Sequence, residues 1–266
     1  MPVGTALARP ARPRMVSYSI SIATAVAGPL QRGLVHSVFQ AAANIVFPGD
    51  FLLSLNTATS PRMPNGIQLP TFPGTMPLSH LHAGIPVLLG VQRLCIQPLD
   101  YILDLSSAVQ WNPFIERPAT LDLDVVKKNI AWLAQYENTI AHCGRPSPKV
   151  VEMARSLCGR GRGLTPTGDD MLAGWMAIGW LLYGPQPDFL AACQQIVAIA
   201  RQQTHLLSQC WLEYAANGYV AEPIGRLLHA LTQKDEQQLV QSTQAVLAMG
   251  ATSGHDLIQG ILMAAS

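Results

Sequence analysis

The sequence between residues 158 and 184 joins a glycine-rich loop directly to a long apolar segment. Residues 171–183 are almost entirely apolar and predict a buried helix, which is too short to span a bilayer. The loop before it cannot be regular structure, because glycine permits positive φ and proline fixes its own φ. The loop residues that impose this are Gly159, Gly161, Gly163 and Pro166. The junction is therefore predicted to be the N-terminus of a helix.

This junction carries polar side chains that suit two kinds of ligand. Thr167, Asp169 or Asp170 is predicted to cap the helix, and an acidic pair there suits the helix dipole. The loop also offers backbone N–H groups and the guanidinium groups of Arg160 and Arg162 to an anion. Alternatively, Asp169 and Asp170 would hold a divalent cation such as Mg²⁺. Glycine loops and capping aspartates also occur with no ligand at all, so a purely structural role stays open.

A second copy of the same pattern lies near the C-terminus, with one residue deleted from its loop. Both copies have a glycine two residues before an aspartate and another four residues after it. These residues are Gly168, Asp170 and Gly174 in the first copy and Gly254, Asp256 and Gly260 in the second. Two such helix N-termini are predicted to face one bound ligand, with Asp169 or Asp170 close to His255 or Asp256. The alternative is chance, since any helix start recruits glycine, threonine and aspartate.

Composition favours association with other subunits and argues against a nucleic-acid or membrane partner. Charged residues make up 12% of the chain and apolar residues 49%, whereas about 25% charged is usual for soluble domains. So much apolar surface predicts burial in a homo-oligomer or against other subunits. The net charge of +1 provides no field that would steer the chain to nucleic acid or to a membrane.

The five cysteines form no Cys-x-x-Cys pair, which argues against a disulfide framework or a zinc site. A reducing compartment, the cytoplasm, is therefore predicted. Cys158 adjoins the glycine loop as a nucleophile would, but a small buried residue at the end of a helix is the favoured interpretation.

The fold is predicted to be α+β, with a β-rich half followed by an α-helical half. Residues 1–14 are interpreted as a disordered tail, 15–118 as an antiparallel sheet or small barrel, and 119–266 as the helical domain. Strands are predicted at 16–23, 34–39, 44–47, 51–56, 66–69, 86–91 and 93–97, with a turn at 48–50. Helices are predicted at 125–142, from Ser147-Pro148 to Gly159, at 188–218, 223–231, 235–249 and 254–265. Four polar residues form a stripe within 188–218 that is predicted to line a pocket, with a solvated face as the alternative: Thr204, His205, Ser208 and Gln209.

The signature Gly161–Gly174, together with segments 214–219 and 247–256, resembles a bacterial family long catalogued as a domain of unknown function. That family includes the small third subunit of oxamate carbamoyltransferase, from anaerobic allantoin degradation. The resemblance implies a complex with a subunit similar to acyl-CoA synthetases and with a second large subunit. It also implies transfer of a carbamoyl group between carbamoyl phosphate and oxamate, which gives oxalurate and phosphate.

The resemblance implies roles for the residues of both loops. Asp169, Asp170, His255 and Asp256 would orient the amide nucleophile, or Asp169 and Asp170 would bind Mg²⁺. The residues expected to bind the anionic substrate are Arg160, Gly161, Arg162, Gly163, Thr165, Thr167, Gly168, Ser208, Thr252, Ser253 and Gly254. Two alternatives remain open: a Mg²⁺-dependent phosphohydrolase or phosphotransferase that uses Asp169, Asp170 and Asp256 as ligands, and a non-catalytic assembly subunit.

Overall fold

The structure is a computed structural model that describes residues 16–70, 78–137 and 150–264. The chain divides into two units, with the boundary between Trp111 and Asn112. The short segment Pro61–Pro64 belongs to the second unit. The predicted α+β organisation is confirmed, because strands occupy the first unit and helices the second.

In the described residues, the first unit is built on one nine-stranded sheet of order β8-β7-β6-β2-β3-β4-β5-β1-β9. Its neighbouring strands are antiparallel except for the parallel pairs β4–β5 and β1–β9. Alternate side chains enter a core that includes Val35, Ile45, Leu53 and Val87. The strands are β1 Ser17–Ser19, β2 Gln31–Val38, β3 Ala42–Phe47, β4 Phe51–Asn56, β5 Gly66–Gln68, β6 Pro86–Gly90, β7 Arg93–Ile96, β8 Tyr101–Asp104 and β9 Val109–Trp111.

The predicted first strand is wrong over most of its length. After Ser19 the chain turns into a helical segment that ends in helix α1, Ala23–Ala27. Ile22 and Val26, four residues apart, are both buried, which is the spacing of one helical face. The serine alternation therefore extends a strand pattern across what is a helical turn. The edge strands β8 and β9 were not predicted, since they are short and mostly exposed.

Eight helices form the described part of the second unit around one apolar core. Helix α4 is the central one, and its residues from Gly174 to Leu181 are all buried. These helices are α2 Leu123–Tyr136, α3 Val150–Leu157, α4 Thr167–Tyr183, α5 Pro187–Gln203, α6 Leu206–Ala216, α7 Glu222–Leu231, α8 Glu236–Leu247 and α9 Ser253–Ala264. No helix in the described ranges is long and apolar enough to cross a membrane.

Two helix predictions need correction. The region 188–218 is not one helix, because α5 ends at Gln203 and α6 begins at Leu206 after an extended Thr204. Helix α4 has Pro166 as its N-cap and no side-chain cap, so neither Thr167 nor an aspartate caps it. The predicted segment 138–142 and the Ser147-Pro148 start signal lie outside the described residues.

Candidate functional site

Helices α4 and α9 pack directly against each other through the second glycine of each repeat. A Cβ atom on Gly174 would lie 2.0 Å from the carbonyl oxygen of Leu257, and one on Gly260 would lie 1.9 Å from that of Met171. Real Cβ contacts are essentially never shorter than 3.0 Å, so both positions require glycine. The contact is reciprocal, because each glycine meets the residue that follows the aspartate of the other repeat.

The glycine that precedes the aspartate in each repeat packs its helix against the preceding helix. A Cβ on Gly168 would lie 1.9 Å from the carbonyl oxygen of Leu157, at the end of α3. The corresponding atom on Gly254 would lie 2.1 Å from the carbonyl oxygen of Val246, in α8. The segments α3–α4 and α8–α9 are thus two copies of one helix–loop–helix unit, in which both repeated glycines serve the same packing purpose.

This packing brings the two loops together at the starts of α4 and α9. The hydroxyl oxygens of Thr165 and Ser253 lie 3.2 Å apart. Both hydroxyl groups also interact with the carboxyl group of Asp170, which in turn feels the charge of Asp256. The loops predicted to face each other therefore meet.

Asp170 is held in a state unusual for a carboxyl group. Its pKa is raised to about 7, chiefly by burial; hydrogen bonds with Ser253 and Thr165 lower this pKa, and the charges of Asp256 and Asp169 raise it. The Oδ2 atoms of Asp170 and Asp256 are both buried and have no hydrogen-bond partner among the described residues. Both protonation states of Asp170 are therefore populated near neutral pH.

Asp169, the residue before Asp170, has hydrogen-bond partners of its own. Its side chain is buried, with Oδ1 accepting from the N–H of Gly159 at 2.8 Å and Oδ2 accepting from the hydroxyl of Thr204. Over the described ranges, no three or more His, Cys, Asp or Glu side chains are grouped so that they could hold a metal ion. Asp169 and Asp170 thus bond different partners, Asp169 with Gly159 and Thr204, and Asp170 with Thr165 and Ser253.

His255, which takes the place of Asp169 in the second repeat, also points to a neighbouring helix. Its Nδ1 lies 3.0 Å from Oε2 of Glu137, at the C-terminal end of α2, whose side chain is only 7% exposed. The residue before each repeated aspartate therefore links its loop to another helix. Sequence reasoning missed Glu137 as a partner, since nothing in its local pattern relates it to His255, 118 positions away.

The polar stripe interacts with the first loop and with its own helix break. Ser208 is buried and its hydroxyl donates to the carbonyl oxygen of Leu164 at 3.4 Å, while Gln209 Nε2 donates to that of Thr204 at 2.8 Å. His205 is exposed. Two of the four stripe side chains thus bond backbone, and that of Thr204 bonds Asp169, so these three side chains have polar partners without a pocket.

The remaining predicted ligand-binding residues lie on the outer side of the first loop or at the start of the second. Arg160 and Arg162 are exposed, and neither forms an ion pair with a residue that the structure describes. Gly161 and Gly163 have φ values of +126° and +95°, which L side chains rarely adopt. Thr167 and Thr252 are exposed as well.

Fold and site together define a chain with a β-rich first unit and a helical second unit that presents paired helix-terminal loops. Residues 157–265 match the family model of oxamate carbamoyltransferase subunit AllH, and residues 14–110 match that of the AllH family N-terminal domain. The chain therefore belongs to the AllH family, which confirms the resemblance seen in the signature. No solved structure matches it.

Proposed function

We propose that this chain is the AllH-type subunit of a cytoplasmic oxamate carbamoyltransferase complex, and that its paired loops bind the anionic substrate. Family membership supports the reaction class. The observation that carries the assignment of the site is the meeting of two helix N-termini at Thr165 and Ser253. Working partners would be larger subunits, one of them similar to acyl-CoA synthetases.

The first loop supplies the positive side of such a site. A helix N-terminus carries partial positive charge, which suits a phosphate or carboxylate. The N–H groups of Gly168, Asp169 and Asp170 already donate to backbone carbonyl oxygens, so the dipole of α4 and the loop arginines would supply the positive charge. Arg160 and Arg162 are exposed beside the start of α4 and have no carboxylate partner among the described residues. Their guanidinium groups are free to pair with phosphate oxygens of carbamoyl phosphate.

The carboxyl pair supplies proton chemistry beside those donors. Carbamoyl transfer forms a bond from the amide nitrogen of oxamate to the carbamoyl carbon, breaks the carbon–oxygen bond to phosphate and releases one proton from the amide. Asp170, with a pKa of about 7, can hold that proton near neutral pH. Protonation of Asp170 also weakens its hold on the hydroxyl groups of Thr165 and Ser253, which then donate to the anion instead.

Titration calorimetry of the purified full-length chain with carbamoyl phosphate, inorganic phosphate and oxamate tests this proposal. We expect Arg162→Ala to weaken phosphate binding by about tenfold, the loss typical of one charge-assisted contact. Asp170→Asn and Asp256→Asn should each abolish phosphate binding while the protein stays folded. Asp188→Asn is the matched control, since Asp188 is an exposed residue in the first turn of α5.

Two results would overturn the assignment. Anion binding that survives both Asp170→Asn and Asp256→Asn would place the ligand elsewhere. Carbamoyl transfer by the partner subunits at an unchanged rate without this chain would leave it an assembly subunit.

A further inference from the structure

The glycine loop between α3 and α4 is attached at both ends to the break between α5 and α6. At its start, Gly159 packs so closely that a Cβ would lie 2.2 Å from the carbonyl oxygen of Gln203, the last residue of α5. Near its end, the carbonyl oxygen of Leu164 accepts a hydrogen bond from Ser208 in α6. The residues on both sides of this break, Gln203 and Ser208, therefore support the loop.

One buried carboxylate ties this support to the start of α4. Asp169, which is 2% exposed, accepts from the N–H of Gly159 with one oxygen and from the hydroxyl of Thr204 with the other. Thr204 is the C-cap of α5 and is itself fixed by Gln209, which donates to its carbonyl oxygen. Three separate chain segments thus meet at a single side chain.

The bonds to Asp169 fix the part of the loop from which the exposed arginines project. Gly159 has a φ of +71°, and the next residue, Arg160, accepts from the N–H of Gly168 at 2.9 Å through its carbonyl oxygen. Gly161 lies tightly against Thr167, with its would-be Cβ 2.5 Å from that backbone nitrogen. The loop backbone is therefore packed closely against neighbouring residues, while the side chains of Arg160 and Arg162 are exposed.

We infer that Asp169 and Thr204 are positioning residues, which hold the glycine loop in the conformation that binds the anion and do not touch the anion themselves. This inference rests on the anion site proposed above. It adds that the break between α5 and α6 controls the conformation of the glycine loop in that site. A displacement of that break would move the loop through Asp169. Pre-formed loops bind more tightly because less conformational freedom is lost on binding.

Substitutions at Thr204 test this role with the full-length chain. Thr204→Val removes the hydroxyl at nearly constant shape, and Thr204→Ser retains it. Thr232→Val is the matched control, because Thr232 is also a helix C-cap whose hydroxyl donates to a backbone carbonyl. The readouts are the affinity for inorganic phosphate by calorimetry and the amide hydrogen exchange rate of Gly159.

We expect Thr204→Val to weaken phosphate binding and to accelerate exchange at Gly159, each by at least about tenfold, the change that loss of a hydrogen bond to a buried carboxylate produces. Thr204→Ser and Thr232→Val should match wild type in both. Faster exchange with unchanged phosphate affinity would show a merely structural role and overturn the inference.

Phosphate binding by the wild-type chain separates this inference from the proposed function. If the wild-type chain binds neither phosphate nor carbamoyl phosphate, the proposed anion site fails. In that case the role of Asp169 and Thr204 in anion binding falls with the site. If instead the wild-type chain binds phosphate and Thr204→Val binds it equally well, the positioning role alone is overturned.

Discussion

Alanine at either repeated helix glycine should force α4 and α9 apart. In Gly174→Ala the new Cβ would start 2.0 Å from a backbone carbonyl oxygen, so the helices must separate by about 1 Å to reach even the 3.0 Å limit. Backbone cannot rotate out of the way as a side chain can. Overpacking of this kind costs about 1–3 kcal/mol, from which the better helix propensity of alanine recovers about 1 kcal/mol.

Gly225→Ala provides the matched control for this substitution. Gly225 lies inside α7, and a Cβ there would meet only Val220 Cγ2 at 3.8 Å, an ordinary contact. This variant should therefore be more stable than wild type by about 0.5–1 kcal/mol. Urea unfolding followed by tryptophan fluorescence measures the difference, since Trp175 and Trp180 lie on α4 itself.

The double variant Gly174→Ala with Gly260→Ala sharpens the test. Because both glycines open the same contact, the second substitution should cost clearly less than the first, a coupling of about 0.5–3 kcal/mol. If Gly174→Ala is as stable as Gly225→Ala, or if the two effects add, then α4 and α9 are not packed through reciprocal glycines.

Three further outcomes are expected. The pKa of the Asp170 carboxyl group is near 3.8 in the unfolded chain and about 7 in the folded chain, so the folded chain holds an extra proton between these values and loses stability as pH rises through them. In thermal melts, the stability of Asp170→Asn relative to wild type should therefore increase from pH 4 to 8. An equal increase for Asp188→Asn would contradict this prediction. Asp122→Ala should lower the free energy of unfolding by about 1 kcal/mol in urea titrations, because its carboxylate accepts from two first-turn amides of α2; an unchanged midpoint would contradict the cap. Burial raises the pKa of the Cys193 thiol to about 12, so iodoacetamide at pH 8 should label the half-exposed Cys95 well before Cys193 in the folded protein. Mass spectrometry measures the two labelling rates, and equal rates would refute this prediction.

Local sequence patterns determined much of the secondary structure. The turn at 48–50 is a good example, since Pro48 cannot extend a strand and Gly49 adopts a φ of +75°. Helix α4 was predictable because its long run of apolar residues has to be buried. Helix α9 was predictable because the loop before it repeats the glycines of the first loop. These signals come from residues close together in the chain.

Weak or ambiguous local signals explain the errors. Residues 16–23 alternate like a strand, yet the burial of Ile22 and Val26 on one helical face decides in favour of a turn. The region 188–218 reads as one helix, but Thr204 is extended and bonds Asp169, a partner 35 positions away that no local pattern reveals.

The sequence by itself determined that two glycine loops begin two apolar helices, because glycine, proline and apolar periodicity act over a few residues. Tertiary structure alone decided which polar groups those loops bring together. It paired Thr165 with Ser253, turned Asp169 away to Thr204 and placed His255 beside Glu137. The physical reason is that a glycine in the sequence indicates only a close backbone contact. Which residue makes that contact depends on packing between segments far apart in the chain.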